Sequence, residues 1–225
     1  MKFEKTEVWG FKHALRSMRN PLESWDKSDT FINGNCDTDC SCENCSQTEG
    51  IEIGERDLFL MQKLIKAGSE HRKFLRQIFV AVDITAPLYF FKELDTYKVG
   101  TVANSTSTMH KLASTPITID CFEMDDFEDC KDDSNVYVSA IWIESITRLE
   151  KLRQTYNATK DKRYWKELIR LLPESWLQKR TITMNYENIL NMYRQRKNHK
   201  LTEWSKSFCD WVKTLPYAEE LICLE

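Results

Sequence analysis

The apolar run Ile78–Thr85 constrains the fold more than any other feature of this chain. Its sequence, IFVAVDIT, is apolar at nearly every position and rich in β-branched residues, a pattern typical of a buried strand. Ala86-Pro87 ends the run, because proline cannot donate to a strand ladder. The chain has 225 residues, which is enough to bury such a strand in a hydrophobic core. A second strand is predicted within residues 1–11, and Ser24–Gly50 is predicted as polar loop.

Helical periodicity accounts for most of the remaining chain. Apolar residues recur every three or four positions in Arg56–Lys66, and from Val136 onward the sequence predicts mostly helix. The predicted C-terminal helices follow the apolar positions of 138–152, 164–172, 185–197 and 201–215. Residues 96–110, TYKVGTVANSTSTMH, show no period and are predicted as a hydroxyl-rich loop. Strands followed by a run of helices favour a single α+β domain over residues 1–225.

Composition excludes several classes of protein. The formal net charge is −3, from 32 basic and 35 acidic residues, so we expect no electrostatic binding of nucleic acid by the whole protein. No stretch reaches the roughly 18 apolar residues of a membrane span, and the N-terminus lacks the apolar core of a signal peptide. We therefore expect a cytoplasmic protein that does not enter a membrane.

Eight cysteines are many for a cytoplasmic chain, and four of them fall within ten residues. In a reducing compartment they are expected to be thiols or metal ligands. Their spacing, C-x3-C-x-C-x2-C, departs from the paired knuckles of structural zinc sites. Two interpretations stay open, a bound zinc ion and a polar insertion at about 33–50 with incidental thiols. The four residues are Cys36, Cys40, Cys42 and Cys45. An acidic loop is predicted at about 120–135.

The C-terminal helix 185–197 carries the polar pattern that bears most directly on function. At 100° per residue, Asn185 and Arg196 fall on one face of an ideal helix, whereas Asn191 lies off that face. An amide offers both a donor and an acceptor, and arginine offers a rigid fork suited to phosphate or carboxylate. The pattern is compatible with a ligand-binding face, although Asn and Arg on a helix usually form its solvated side.

Three sequence patterns together resemble the flavin-dependent thymidylate synthases. The family has H-x-S/T-x-F-E-H fifteen residues before an Ala-Pro pair, and His71 and Ala86-Pro87 match these positions. About nine residues after that pair the family has R-H-R-x2-S-x-N-E-x-S-x-R, which falls on a segment beginning with Thr96, Tyr97 and Lys98. Its helix N-x-R-x3-N-x4-R matches three polar positions of this chain: Asn185, Asn191 and Arg196.

The resemblance implies a fold, a reaction and a set of site residues. It implies reductive methylation of dUMP to dTMP with FAD, methylene-tetrahydrofolate and NADPH, on a homotetramer with an α+β fold containing an antiparallel or mixed sheet and a C-terminal helical part. By resemblance, the nucleotide would be bound by Arg196, Arg170 and Thr101. The flavin would be bound by His71, Thr96, Tyr97, Lys98, Asn104, Asn185 and Asn191. The catalytic candidates are Glu93, Thr106 and Ser107.

The chain also departs from the family pattern in ways that bear on ligand binding. Only Lys98 keeps a charge of the R-H-R signature, and Glu187 replaces a cation of the helix motif. Each lost charge-assisted hydrogen bond is worth about 1.5–3 kcal/mol. Two alternatives therefore stay open. One is a catalytically altered homologue that binds flavin or another pyrimidine nucleotide, and the other is a zinc-stabilised interaction module.

Overall fold

The computed structural model describes residues 1–32, 51–125 and 127–224. Its strands are β1 (Lys2–Trp9), β2 (Phe31–Ile32), β3 (Ile51–Glu52), β4 (Phe79–Pro87), β5 (Val102–Ser105) and β6 (Leu177–Asn185). Its α-helices are α1 (Phe11–Arg19), α2 (Glu55–Lys66), α3 (Leu88–Leu94), α4 (Thr108–Lys111), α5 (Val138–Thr159), α6 (Lys162–Arg170), α7 (Tyr186–Arg196), α8 (Cys209–Lys213) and α9 (Ala218–Leu221). Short 3-10 turns cover Asn20–Leu22, Trp25–Lys27, Lys73–Gln77 and Ile119–Cys121, and a π-helix covers Glu203–Phe208.

Within the described residues, one four-stranded antiparallel sheet has the strand order β1-β4-β6-β5. Strands β2 and β3 form a separate antiparallel pair, with Ile32 opposite Ile51. Strand β4 begins one residue after the predicted start, and Val80, Val82 and Ile84 on one of its faces are fully buried. The predicted α+β fold class, with its antiparallel or mixed sheet and C-terminal helices, is confirmed.

The sequence analysis missed strands β5 and β6 of the four-stranded sheet, as well as the two-residue strands β2 and β3. The chain after Val136 is not continuous helix, because β6 lies between α6 and α7. Strand β6 buries Gln178, Ile182 and Met184, which share one face at period two, but the charged Lys179 and Arg180 between them obscure that alternation. Strand β5 lies in the segment predicted as loop, and all four of its side chains are exposed, so it has no apolar pattern to detect.

Contacts between Cα atoms divide the chain into two compact units. Unit 1 comprises Met1–Lys2, Ile84–Asp95 and Asn104–Arg180. A buried cluster on α5, α6 and the segments before and after them forms its core: Leu112, Ile117, Phe122, Leu149, Leu168 and Trp176. Phe122 meets Trp176 edge to face, with ring centroids 5.5 Å apart. The sequence prediction of a single domain stays a prediction.

Unit 2 comprises Phe3–Asp83, Thr96–Ala103 and Thr181–Glu225. Its core is aromatic, and Phe11 of α1 meets Tyr186 of α7 edge to face at 5.6 Å. The apolar stripe predicted over Leu201–Leu215 is buried inside this unit, although its first part is π-helix rather than α-helix. Its buried members belong to the hydrophobic core of this unit: Trp204, Phe208, Trp211, Val212 and Leu215.

Two carboxylates of unit 2 connect residues 28–30 to the start of α2, one of them buried and the other capping the helix. Asp57 on α2 is fully buried, where it accepts hydrogen bonds from Arg19 Nε at 2.7 Å and from the hydroxyl groups of Ser28 and Thr30. Asp29 accepts from the Arg56 and Asp57 amides and so caps α2 from a distant part of the chain. Predicted zinc ligands Cys36, Cys40, Cys42 and Cys45 lie outside the described residues.

Candidate functional site

The N-terminus of α7 is organised by two asparagines. Asn185 Oδ1 accepts from the Asn188 amide at 3.0 Å, and Asn188 Oδ1 accepts from the Asn185 amide at 3.2 Å, which forms a reciprocal capping box. Asn185 has extended backbone, with φ −121° and ψ 167°, so it precedes the helix. The helix begins at Tyr186, one residue after its predicted start, and the expectation that Asn185 and Arg196 share one of its faces stays a prediction.

The segment 97–101 packs on the capping residues of α7. Asn188 Nδ2 donates to the Val99 carbonyl at 2.5 Å. Gly100 has φ +79°, and a Cβ placed on it would lie 2.8 Å from Asn185 Nδ2. Glycine is thus required twice, for the left-handed backbone and for the close approach to Asn185. The backbone of this segment therefore lies against the two capping asparagines of α7.

Tyr97 and Arg196, two predicted ligand residues, contact each other in unit 2. Arg196 Nε donates to Tyr97 Oη at 3.0 Å, and Tyr97 Oη donates to Gln195 Oε1 at 2.9 Å. The Arg196 guanidinium lies 5.7 Å from the ring centroid of Tyr97 and 5.2 Å from that of Trp204. Cation–π contacts at such distances hold a guanidinium plane in a defined orientation.

A second group of polar residues lies where α7 faces the turn Lys73–Gln77. Arg72 Nε donates to Glu187 Oε1 at 3.2 Å, and Arg72 Nη2 donates to Asn191 Oδ1 at 2.9 Å. Arg76 also pairs with Glu187, and this hydrogen bond raises the pKa of the Arg76 guanidinium. Glu187 is 8% exposed, so this carboxylate is nearly buried between two arginines.

Arg194 extends the same face of α7 by one turn. Residues 187, 191 and 194 follow at intervals of four and three, the spacing of neighbours along one helical face. Burial and the nearby charge of Arg72 lower the pKa of Arg194. Among the residues the structure describes, Arg194 has no acidic partner. The sequence analysis did not assign Arg72 or Arg76 to the site, although the sequence H-R-K-F-L-R places these two arginines four residues apart after His71.

His71 lines a cavity of about 480 Å³ within unit 2, together with residues of α1, α2 and the turn Lys73–Gln77. The lining combines apolar side chains such as Met18, Leu60 and Phe74 with the polar Glu70 and Gln77. His71 itself is exposed. The arginine next to it in sequence, and not His71, forms the hydrogen bond to the predicted ligand residue Asn191.

The other predicted residues of unit 2 have local roles or are exposed. The Thr101 hydroxyl donates to the Tyr97 carbonyl at 2.9 Å and so closes the turn that precedes β5. Thr96 and Lys98 are exposed at the start of the same segment. Their assignment to a flavin site stays a prediction.

Unit 1 contains the remaining predicted site residues. Ser107 caps α4, and its hydroxyl lies 2.8 Å from His110 Nδ1. The Thr106 amide donates to the Lys179 carbonyl at 2.9 Å, so Thr106 is engaged with β6. Arg170 donates to Glu167 at 2.5 Å on the exposed surface of α6. Glu93 is half-buried on α3, and Asn104 is exposed on β5.

The part of the chain that the structure describes contains neither a metal-binding cluster nor a membrane-spanning helix. No group of three or more His, Cys, Asp and Glu side chains in residues 1–32, 51–125 and 127–224 could hold a metal ion. The zinc prediction concerns cysteines outside these ranges and stays a prediction. Within the same part of the chain, none of the helices is both long and apolar enough to cross a bilayer.

The comparisons with known proteins identify similarity in structure only. No protein-family model matches the chain, and no curated protein is similar to it in sequence. Two crystal structures of the flavin-dependent thymidylate synthase from Helicobacter pylori, both with FAD and dUMP, resemble it closely. The first has a TM-score of 0.67 and 16% identity, with all of both chains covered. The second has a TM-score of 0.68 and 16% identity, with 99% of this chain and 97% of that chain covered. This chain therefore has the fold of the flavin-dependent thymidylate synthases, over its full length.

Proposed function

We propose that this protein is a flavin-dependent thymidylate synthase-like enzyme that converts dUMP to dTMP. The observation that carries the proposal is helix α7, where two residues match the family's helix motif: Asn191 accepts a hydrogen bond from Arg72, and Arg196 donates one to Tyr97. The full-length structural similarity to proteins crystallised with FAD and dUMP supports the same proposal. We further propose that methylene-tetrahydrofolate and NADPH are the other reactants and that the protein is a homotetramer.

The residues around α7 fit a phosphate-bearing aromatic cofactor such as FAD. Tyr97 supplies a partly exposed aromatic surface, and Arg194 supplies a cation without an acidic partner in the described residues. FAD when bound would supply hydride-transfer chemistry that no side chain provides. His71, Thr96, Tyr97, Lys98, Asn104, Asn185 and Asn191 remain its proposed contacts.

The protein groups in this proposal bind, orient and polarise the reactants. The planar fork of Arg196, oriented by Tyr97 and Trp204, suits two parallel hydrogen bonds to the nucleotide phosphate. Arg170 and Thr101 are proposed as further nucleotide contacts. Glu93, Thr106 and Ser107 are proposed near the pyrimidine base, where a carboxyl or hydroxyl group can donate to or accept from the ring.

The proposal is tested with freshly purified protein. We expect a yellow protein with the visible absorbance of oxidised flavin, and a melting temperature that rises with FAD and with dUMP, because a ligand of the folded state stabilises it. We also expect NADPH oxidation that requires both dUMP and methylene-tetrahydrofolate, with dTMP as the product. A colourless protein whose melting temperature responds to neither ligand would contradict the proposal.

The replacement of a motif cation by Glu187 favours one second candidate, a homologue that binds flavin or nucleotide without turnover. Glu187 carries a negative charge and is paired with two arginines. It therefore cannot bind a phosphate group as the cation of the family motif would. This candidate predicts ligand-induced stabilisation without any dTMP. Formation of dTMP dependent on folate and dUMP would eliminate it.

A further inference from the structure

We infer that Arg72, Asn191 and Arg194 together form a phosphate-binding site on the face of α7, in place of the motif cation that this chain lacks. The inference rests on the proposed function, because it assigns the phosphate group of a nucleotide cofactor or substrate to these three side chains.

The hydrogen bonds that Arg72 and Asn191 make within the protein leave only N–H donors of these two side chains for a ligand. Asn191 Oδ1 accepts from Arg72, so the free part of the Asn191 amide is its Nδ2 group, which can only donate. Arg72 uses Nε and Nη2 for Glu187 and Asn191, and its guanidinium has five N–H groups in all. Three neighbouring donors suit a phosphate group, and the carboxylate beside them, Glu187, is already paired with Arg72 and Arg76.

The local charge also favours an anion. Arg72, Arg76 and Arg194 carry three positive charges, and Glu187 supplies one negative charge to the same cluster. Glu70, the other acid near Arg76, is paired with Lys73 at 3.3 Å. The cluster therefore has two positive charges in excess of its carboxylate, which matches the charge of a phosphate dianion.

Glu187 acts here as a positioning residue. It is nearly buried and holds both Arg72 and Arg76, so the guanidinium of Arg72 is fixed before a ligand arrives. A donor that is oriented in advance loses less conformational entropy on binding. Arg194, by contrast, is exposed and has no hydrogen bond to another described residue, so it can turn towards a ligand.

The decisive variant is Arg194→Gln, with Arg16→Gln as its control. Arg16 is also an exposed helical arginine of unit 2 and takes no part in the proposed site. Binding is measured by titration with four ligands, FAD against riboflavin and dUMP against deoxyuridine, so that each pair differs in phosphate. We expect Arg194→Gln to raise the Kd of one phosphate-bearing ligand about tenfold, the effect of one charge-assisted hydrogen bond.

The ligand pair whose affinities change in Arg194→Gln shows whether the bound phosphate belongs to the cofactor or to the substrate. An effect on FAD but not on riboflavin assigns the site to the cofactor, and an effect on dUMP but not on deoxyuridine assigns it to the substrate. Arg194→Lys should lose less affinity than Arg194→Gln, because it keeps the charge but not the fork. The affinity should also fall with added salt, and less steeply in Arg194→Gln.

Unchanged binding of all four ligands by Arg194→Gln would overturn the inference, and so would an equal loss for riboflavin and FAD. The proposed function has a separate test, since its failure means that the wild-type protein binds neither FAD nor dUMP. In that case inorganic pyrophosphate is the probe. Binding of pyrophosphate that Arg194→Gln weakens would uphold the anion site without the proposed reaction, and no binding would overturn both.

Discussion

Arg76 and Glu187 both differ in charge from the family pattern, and the two differences are connected because the residues are partners. Counted from His71, the family pattern H-x-S/T-x-F-E-H has an acid where this chain has Arg76, and the family helix has a cation where this chain has Glu187. The two residues form an ion pair. Both positions thus keep opposite charges with the signs exchanged, so the ion pair is retained while the cation of the helix motif is lost.

Gly100 provides a test of the contact between the segment 97–101 and the cap of α7. We expect Gly100→Ala to lower the free energy of unfolding by about 1–3 kcal/mol, because the backbone has a positive φ and the new Cβ would meet Asn185 Nδ2. Gly68→Ala is the matched control, since Gly68 has φ +110° with no other atom within 4 Å of the added Cβ. Urea unfolding measures both variants.

Both variants lose a glycine with positive φ, so the difference between their free energies of unfolding measures the steric clash with Asn185. If Gly100→Ala is no more destabilising than Gly68→Ala, the segment does not lie against Asn185 as described. FAD binding by Gly100→Ala can be measured in parallel, because the proposed flavin contacts Tyr97 and Lys98 belong to the same segment.

At the scale of elements, α5 anchors the irregular segment 113–117 of unit 1 through one carboxylate. Glu150 Oε2 accepts from the Ile117 amide at 2.8 Å, while Arg153 bonds both carboxylate oxygens. Arg153 and Asn157 in turn donate to the Ala113 carbonyl at 3.1 and 2.7 Å. Side chains on one face of α5 therefore provide hydrogen-bond partners for backbone groups of a segment that belongs to no strand.

The Glu150 network predicts a pH dependence of stability. Hydrogen bonds from Arg153, together with the Ile117 amide, lower the pKa of Glu150 to about 2 from its ordinary value of 4.5. Because the pKa of the folded state is the lower one, the stabilisation is complete above pH 4.5 and is lost as the pH falls towards 2. We expect Glu150→Gln to cost about 2 kcal/mol at neutral pH and to remove this part of the acid sensitivity.

Glu144→Gln is the control on the same helix. Glu144 pairs with Arg148, but its side chain is 65% exposed, so the pair should contribute well under about 1 kcal/mol. Urea unfolding of both variants at neutral pH and at low pH makes the comparison. Equal effects of the two substitutions, or a wild-type stability that does not change across this pH range, would contradict the role of Glu150.

At the scale of the whole molecule, the fold tolerates extensive change in sequence. Both similar crystal structures share only 16% identity with this chain, yet the similarity covers all or nearly all of each chain. A fold of this kind depends on burial pattern more than on particular residues. Site chemistry depends on particular side chains, and for that reason the function needs its own tests.

The segment 33–50 can be removed as a test of whether the fold depends on it. Ile32 and Ile51 are directly opposite each other in an antiparallel pair, so a two-residue Asn-Gly turn should connect them. We expect this replacement to change the free energy of unfolding by less than about 1 kcal/mol, because Asp57 and Asp29 hold both flanks. Urea unfolding and metal analysis of both proteins measure the outcome.

The alternative of a zinc-stabilised module predicts the opposite result. If the four cysteines bind a structural zinc ion, the wild-type protein should contain about one equivalent of zinc, and the replacement should lose both the metal and several kcal/mol of stability. Wild-type protein without zinc and a replacement that folds normally would eliminate that alternative.

The sequence by itself determined the elements whose apolar residues repeat at a regular interval. Helix α2, strand β4 and helices α5 to α7 were predicted within a few residues, except that α5 continues to Thr159 and Asn185 is a cap. The α+β class followed from their order, and the resemblance to one enzyme family followed from the spacing of His71, Ala86-Pro87 and the polar positions of α7.

Only the tertiary structure decided how these elements and their charges pair. The pairing of β5 and β6, the contact of Arg196 with Tyr97 across 99 residues and that of Arg72 with Glu187 across 115 residues have no periodic signal in the chain. A charged side chain has the same local pattern whether it meets solvent, an acid or a ligand. Its partner is set by which distant element packs beside it, and burial of apolar surface elsewhere in the molecule determines that packing.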